Sequence, residues 1–289
     1  MVPMIRKLLF LILATAALAP AYGQDKSLLY EVSGKGLPQP SYLYGTFHLV
    51  CPADLQVTEA TRKALAQAQR LYLELDLDDP TLLASMMKAV AMPAGKNAKD
   101  ILSADDYAVL DSYLKKTLGV GLAQFGALKP VALQSMLVSV MLNCEPASYD
   151  MKFAEMAGQQ GKEILGLETL EEQMAALDKL PIEKQFKELA DMARKPEDAR
   201  KEFAGLLAAY KAQDLSQLTK LMRESQFEDD SEKFDEEILN KRNANWIPTI
   251  EKAAREKSTF FAFGAGHLIG PKGVISLLRE KGYNVKVLP

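Results

Sequence analysis

Histidine is nearly missing from this 289-residue sequence, which has 2, alongside 2 cysteines and 1 tryptophan. No His-Glu-x-x-His pair occurs, which removes the usual helix-borne zinc protease arrangement. Neither a Gly-x-Ser-x-Gly elbow nor a Gly-x-x-x-x-Gly-Lys-Ser/Thr loop is present, so serine-hydrolase and P-loop chemistry lack their carriers. There is no Cys-x-x-Cys-His, which excludes covalently attached haem. Basic blocks are absent and the formal net charge is -3, so no nucleic-acid partner is expected. After residue 23 no apolar run is long enough for a stable membrane span.

The first residues have the layout of a secretory signal. Arg6 and Lys7 are the charged segment, Leu8 to Leu18 the apolar one, and Ala21-Tyr22-Gly23 supplies small residues for cleavage after Gly23. Removing Arg6 and Lys7 takes the net charge from -3 to -5. The residue directly after the cut is Gln24 and not a cysteine, so the expectation is a periplasmic or secreted protein without a lipid anchor. In an oxidising compartment Cys51 and Cys144 can pair. Closing so long a loop is worth about 4–5 kcal/mol at most in the chain-entropy model. Two buried free thiols are the alternative.

Hydrophobic residues make up 48% of the chain, the share of an ordinary globular protein. Strands are predicted at Leu28–Val32, Ser41–Phe47, Leu71–Leu75, Glu163–Leu167, Thr259–Phe263 and Tyr283–Leu288. The first two are joined by turn residues Gly34 to Pro38 and could form a hairpin. Thr259–Phe263 is almost wholly apolar, as a central buried strand would be. Between Pro80 and Lys257 the pattern is mainly helical. Ser103 with Asp106, and Thr169 with Glu172, read as capping boxes. The helix from Pro130 to Asn143 is apolar nearly all round and reads as buried, and Met86, Met87 and Met136 read as core filling. Asp150 opens a short helix, and Pro248 is expected to kink or restart a later one.

Two units thus share one plan of strand, Gly-x-x-His, helix, strand. The first contains Gly45-Thr46-Phe47-His48 and the second Gly264-Ala265-Gly266-His267. The fold class expected is α/β: a split central sheet with a large mainly helical insertion. As a domain plan this is a signal peptide (1–23) and a single domain (24–289). Its core halves are 28–79 and 258–289, and the insertion 80–257 gives one strand near 162–167. Whether that insertion packs on the sheet or caps it stays open.

Both histidines close the same local motif, and they exhaust the chain's supply. Ligands of open α/β sheets bind at the carboxyl ends of the strands. His48, Glu74, Glu168 and His267 all fall at predicted strand ends. Two imidazoles and a carboxylate form a common zinc ligand set with an open position for water. A second carboxylate can act as general base or fix an imidazole. Gly45 and Gly264 allow close backbone approach beside such a site.

The residues Tyr44-Gly45-Thr46-Phe47-His48, Glu74, Asp150, Gly166-Leu167-Glu168-Thr169-Leu170-Glu171-Glu172-Gln173, Arg242-Asn243 and Gly264-Ala265-Gly266-His267 resemble the TraB/GumN family in order and spacing. The resemblance runs from about Leu28 to Leu288. It implies an α/β fold related to erythromycin esterase-like and ChaN-like proteins, and kinship with the metal-dependent TIKI-type Wnt-cleaving proteases. Carried over by position, His48 and His267 would be metal ligands or acid/base groups with Glu74 as carboxylate partner. The metal would be a divalent ion of the zinc, manganese or cobalt class. Asp150, Glu168, Arg242 and Asn243 are family-motif positions, Glu168 and Arg242 counting as candidate catalytic groups. Pro248 departs from the continuous helix expected after Asn243. Each has a plainer reading: Glu168 or Asp150 as helix-end charges, and Arg242 as a structural ion-pair partner.

The expectation is therefore a metal-dependent hydrolase of a peptide or amide bond, its peptide or small-molecule substrate unidentified. The alternatives are a metal-free, esterase-like hydrolase in which histidine and glutamate activate water, and a non-enzymatic protein that holds a metal, haem or another ligand.

Overall fold

A computed structural model describes residues 26–227 and 230–289. The expected signal segment, 1–23, lies outside the described residues. Six strands form one mixed sheet: β1 (Leu29–Ser33), β2 (Ser41–Thr46), β3 (Arg70–Leu73), β4 (Glu163–Gly166), β5 (Thr259–Gly264) and β6 (Asn284–Leu288). Their order is β4-β3-β5-β2-β1-β6. Strands β2, β5, β3 and β4 run parallel, and β1 pairs antiparallel with both β2 and β6. The predicted hairpin is β1–β2, and β5 is central, with Phe260, Phe261 and Phe263 fully buried.

The helices follow in chain order. After β2 comes α1 (Glu59–Gln67), opened by the Thr58 side chain, which accepts from the Thr61 N–H. Between β3 and β4 lie α2 (Leu82–Ala89), α3 (Ala104–Leu118), α4 (Leu122–Phe125), α5 (Pro130–Leu142) and α6 (Tyr149–Gln159). Between β4 and β5 lie α7 (Leu170–Leu177), α8 (Ile182–Arg194), α9 (Pro196–Lys211), α10 (Leu215–Arg223), α11 (Ser231–Phe234) and α12 (Lys241–Glu256). Finally α13 (Val274–Glu280) leads to β6.

The open question of the insertion has a divided answer. Phe260 packs on Phe153 of α6 (ring centroids 5.2 Å apart), while Phe263 packs on Trp246 of α12 (5.6 Å). Residues three apart in a strand point to opposite faces, so α6 and α12 cover the two sides of the sheet. Helices α3, α5 and α8 instead share a separate core around Leu110, Leu133, Leu137 and Phe186.

Several sequence readings change. The cap of α6 is Ser148, whose side chain accepts from the Asp150 and Met151 N–H groups, so the Asp150 carboxylate is free to bond elsewhere. Helix α5 buries only Pro130, Leu133 and Leu137, and its other face is open. Met86 and Met87 are exposed surface residues (40% and 70%). Helix α12 runs through Pro248 without restarting. A π-helical turn, Asp235–Asn240, precedes it.

The two Gly-x-x-His motifs end neighbouring parallel strands. Thr46 lies opposite Gly264, so the motifs are offset by one residue. From here the chain leaves in opposite directions. Strand β2 leads through α1 to β3 beyond β5, and β5 leads through α13 to β6 beyond β1. Such a parting point is where open α/β sheets form their binding crevice.

Candidate active site at the strand ends

Glu74, one residue beyond β3, sits between the two histidines. Its Oε1 lies 3.8 Å from His48 Nε2 and 3.9 Å from His267 Nε2. The same oxygen accepts the Gly264 N–H at 2.8 Å. Oε2 accepts from Arg242 Nη2 at 2.6 Å and from Gln173 Nε2 at 3.1 Å. Burial alone would raise the Glu74 pKa, but the charged imidazole of His48, the Arg242 guanidinium and the Gly264 N–H outweigh it. They hold the carboxyl well below the usual range, ionised at neutral pH.

Gly264 closes the middle of the group. A Cβ there would lie 3.3 Å from both Glu74 Oε1 and His48 Nε2, and 3.6 Å from the His267 ring. Gly45 serves packing instead. A Cβ at that position would meet Leu268 Cδ1 at 2.6 Å, so its absence lets β2 press on the chain after β5.

The histidines are not equivalent. The His48 side chain is 61% exposed and that of His267 5%. His48 Nδ1 donates to Asp150 Oδ2 at 2.9 Å, and Asp150 Oδ1 accepts the Thr46 hydroxyl at 2.9 Å. Asp150 therefore orients the His48 ring and leaves Nε2 toward Glu74. Desolvation works against charge on His48, but Asp150 and Glu74 overcome it and raise its pKa to about 9. Water at the exposed edge of the ring softens that shift.

His267 is held from both sides. The Asn243 amide donates to the Lys272 carbonyl at 2.9 Å, which turns its oxygen toward His267 Nδ1, 2.7 Å away. Nδ1 therefore carries the proton, and the Nε2 lone pair accepts from Arg242 Nη1 at 3.2 Å. Burial, helped by the cationic neighbour Arg242, lowers its pKa to about 3. His267 is a neutral imidazole at any ordinary pH.

Arg242 links everything on the buried side. It bonds Glu168 through Nε (3.1 Å to each oxygen) and Nη2 (2.6 Å), as well as Glu74, His267 and the Ile238 carbonyl. Its guanidinium lies 4.8 Å from the Trp246 ring centroid. Trp246 Nε1 donates to Glu168 Oε2 at 3.0 Å, and Gln173 bridges Glu168 and Glu74. Glu168 does not cap α7, since Thr169 does so in a capping box with Glu172. Gln173 and Trp246 were not among the sequence candidates. Their signals were Gln173's place in the Leu-Glu-Thr-x-x-Glu-Gln stretch and Trp246's position one turn after Arg242.

The disulfide forms: Cys51 and Cys144 are bonded, 93 residues apart in sequence. Val50 and Ala147 exchange two backbone hydrogen bonds (2.9 and 2.8 Å) beside it. Together they fasten the loop carrying His48 to the start of α6, which carries Asp150.

A cleft of about 570 Å³ opens on this group, with His48, Glu74, Asp150 and Gln173 at its floor. A larger groove of about 870 Å³, lined by Tyr30, Lys220 and Lys286 among others, contains none of these residues.

Whether a divalent metal fits depends on the donor set. His48 Nε2 and Glu74 Oε1 face one another, but the His267 Nε2 lone pair is engaged by a permanently charged guanidinium. Among the described residues no group of three His, Cys, Asp or Glu side chains is placed to hold a metal ion. As arranged, the three expected ligands do not form a metal site.

Fold and site define an α/β protein with a histidine–carboxylate centre at its strand ends. The chain belongs to the TraB/PrgY/gumN family, whose sequence model matches residues 28–287. It is 26% identical over 306 residues to Metalloprotease TIKI2 of Xenopus tropicalis, covering 86% of this chain and 58% of that protein. It is 25% identical over 333 residues to Metalloprotease TIKI1 of Homo sapiens, covering 96% and 65%. An uncharacterized protein of Treponema pallidum (strain Nichols) is 24% identical over 288 residues, covering 93% and 85%. The chain thus spans about three fifths of the length of the TIKI relatives it matches. No solved structure matches it.

Proposed function

We propose that this chain is a hydrolase of peptide or amide bonds in which His48 and Glu74 activate water. One observation supports it most: the Nε2 atoms of both Gly-x-x-His histidines lie within 3.9 Å of a single carboxylate oxygen, at the floor of an open cleft. The 3.8 Å between His48 Nε2 and Glu74 Oε1 lets one water bond both at about 2.7–2.8 Å. Neutral His48 takes a proton from that water as its oxygen attacks the substrate carbonyl. The proton then passes to the leaving nitrogen as the carbon–nitrogen bond breaks. Asp150 orients the imidazole and stabilises its charged form, as the acidic member of a hydrolytic triad does. Glu74, kept ionised by Arg242 and Gly264, fixes the water. Its low basicity makes it the weaker candidate for proton acceptor. Arg242, Glu168, Gln173, Asn243 and His267 are positioning residues in this reading.

A metal-dependent form of the same hydrolysis is the second reading, favoured by the metalloprotease names of the relatives. It requires Arg242 to release His267 Nε2. The deciding experiment assays purified protein on a broad peptide and ester panel, with and without strong chelator. Turnover that survives chelation and disappears in His48→Ala supports the first reading. Loss on chelation with recovery on zinc, manganese or cobalt supports the second. No turnover on any substrate rejects both in favour of a ligand-binding role. Export through residues 1–23 belongs to the same proposal, and among the described residues no helix is long and apolar enough to cross a membrane. A mature N-terminus at Gln24 is the expected result of sequencing the exported protein, and an intact Met1 contradicts it.

A further inference from the structure

The walls of the cleft differ from its floor. They are formed by Met86 of α2 and Val90 just beyond it, Val131 and Met136 of α5, and Met174 and Leu177 of α7, with no Lys, Arg or further carboxylate among the lining residues. Helix α2 has no fully buried residue: Leu82 and Ala89 pack on the cluster of Leu75, Leu170 and Met174, while Leu83, Met86 and Met87 are exposed. Unpartnered charge taken out of water there costs several kcal/mol, while methionine adapts to apolar shapes of many kinds. A carbonyl brought to His48 Nε2 necessarily carries its neighbouring groups along these walls.

Two hydroxyls interrupt the apolar surface. Ser135 and Ser139 also line the cleft, one turn apart on α5. Each donates its proton back to its own helix, Ser135 to the Val131 carbonyl at 2.9 Å and Ser139 to the Ser135 carbonyl at 2.8 Å. Their oxygens keep acceptor capacity on the cleft side. A peptide backbone brings N–H donors to match them, and a fatty acyl chain brings none.

Resting on the hydrolase reading above, we propose that the cleft selects peptide segments whose side chains beside the scissile bond are apolar, their backbone N–H groups donating to Ser135 and Ser139. The walls reject charged residues, since they hold no countercharge, and the serines separate peptides from lipids.

The test uses a dansylated apolar hexapeptide, Leu-Ala-Val-Leu-Ala-Met, and a counterpart with Asp and Lys at alternate positions. Fluorescence titration measures their binding to His48→Ala, and mass spectrometry measures cleavage by the wild type. The apolar peptide is expected to bind at least tenfold tighter. Met86→Asp, on the surface of α2, should reduce that preference to about threefold or less. Ser135→Ala/Ser139→Ala should weaken the peptide severalfold and leave dansyl-undecanoic acid unchanged. Circular dichroism checks the fold of each variant. Equal binding of the two peptides, an unchanged preference in Met86→Asp, or tighter binding of the acyl probe overturns the inference. The two readings fail separately. Apolar selectivity in binding without cleavage by the wild type sinks the hydrolase reading alone, and cleavage of both peptides at equal rates sinks the selectivity alone.

Discussion

Arg242→Met removes the cation that two buried carboxylates share. Arg242 is 7% exposed, and its partners' side chains are 8% (Glu74) and 5% (Glu168) exposed. Methionine keeps much of the stem's apolar packing while deleting every guanidinium bond. Taking one partner from a buried ion pair costs about 3–5 kcal/mol, because the remaining charge is left unpaired. Out of a total of about 5–15 kcal/mol that loss is large. It also depends on pH. In the wild type the folded pKa of Glu74 lies below its ordinary 4.5. Its ionised form therefore adds stability above pH 4.5, and that contribution fades as pH falls toward the folded value. In the variant, burial is no longer opposed by Arg242, and the native state takes up a proton, on Glu74 or on His267 beside it. Acid then favours the variant relative to the wild type, by up to about 1.4 kcal/mol per pH unit while that proton is being bound. Urea unfolding from pH 8 to pH 4.5 measures this, followed by circular dichroism and by Trp246, the chain's single tryptophan. A deficit of about 3–5 kcal/mol at pH 7.5 that shrinks with acid is expected. A deficit below 1 kcal/mol, or one constant across the range, refutes the reasoning.

Gly264→Ala places a methyl 3.3 Å from both Glu74 Oε1 and His48 Nε2. Turnover should fall at least tenfold while the melting temperature stays within a few degrees, and retained turnover counts against the placement of the reacting water. Replacing Cys51 and Cys144 by serine should cost about 2–5 kcal/mol, and denaturant titration under non-reducing conditions measures it. A change under 1 kcal/mol would mean that the bridge adds nothing to the two Val50–Ala147 hydrogen bonds. If His48 is the base, kcat/KM rises with pH toward about 9 as the ring loses its proton. Asp150→Asn should move that rise to lower pH and reduce the plateau, whereas an unmoved profile excludes Asp150 as the group that raises it.

The strands were legible because each is a short apolar run bounded by turn chemistry, and the repeated Gly-x-x-His drew attention to the two that matter. Strand order was not legible, because nothing local to β5 says that it inserts between β2 and β3. The repetition even misleads in one respect. The motifs share the glycine and histidine at the same spacing, yet Thr46, not Gly45, lies opposite Gly264. His48 lines the cleft while His267 lies against Arg242, Asn243 and Trp246 of α12, so motifs of one pattern serve different ends. Asp150 read as a helix cap because Ser148, two residues earlier, does that job by a side-chain bond invisible in pattern. Met86 and Met87 read as core since helical periodicity reports an apolar face and not what lies opposite it. Gln173, though part of the family stretch, and Trp246 carried no assigned role because their partners, Glu74 and Glu168, are distant in sequence.

The most direct test of a site shared by both histidines needs no substrate. With only His48 and His267 in the chain, untagged protein labelled with nitrogen-15 at histidine gives two imidazole signals, each followed against pH by NMR. His267 should remain neutral, protonated at Nδ1, from pH 5 to 10, and His48 should stay charged through pH 7 and titrate toward about 9. Glu74→Gln should lower the His48 value and shift both spectra. Two rings that titrate independently near 6.5 and ignore Glu74→Gln would contradict the account.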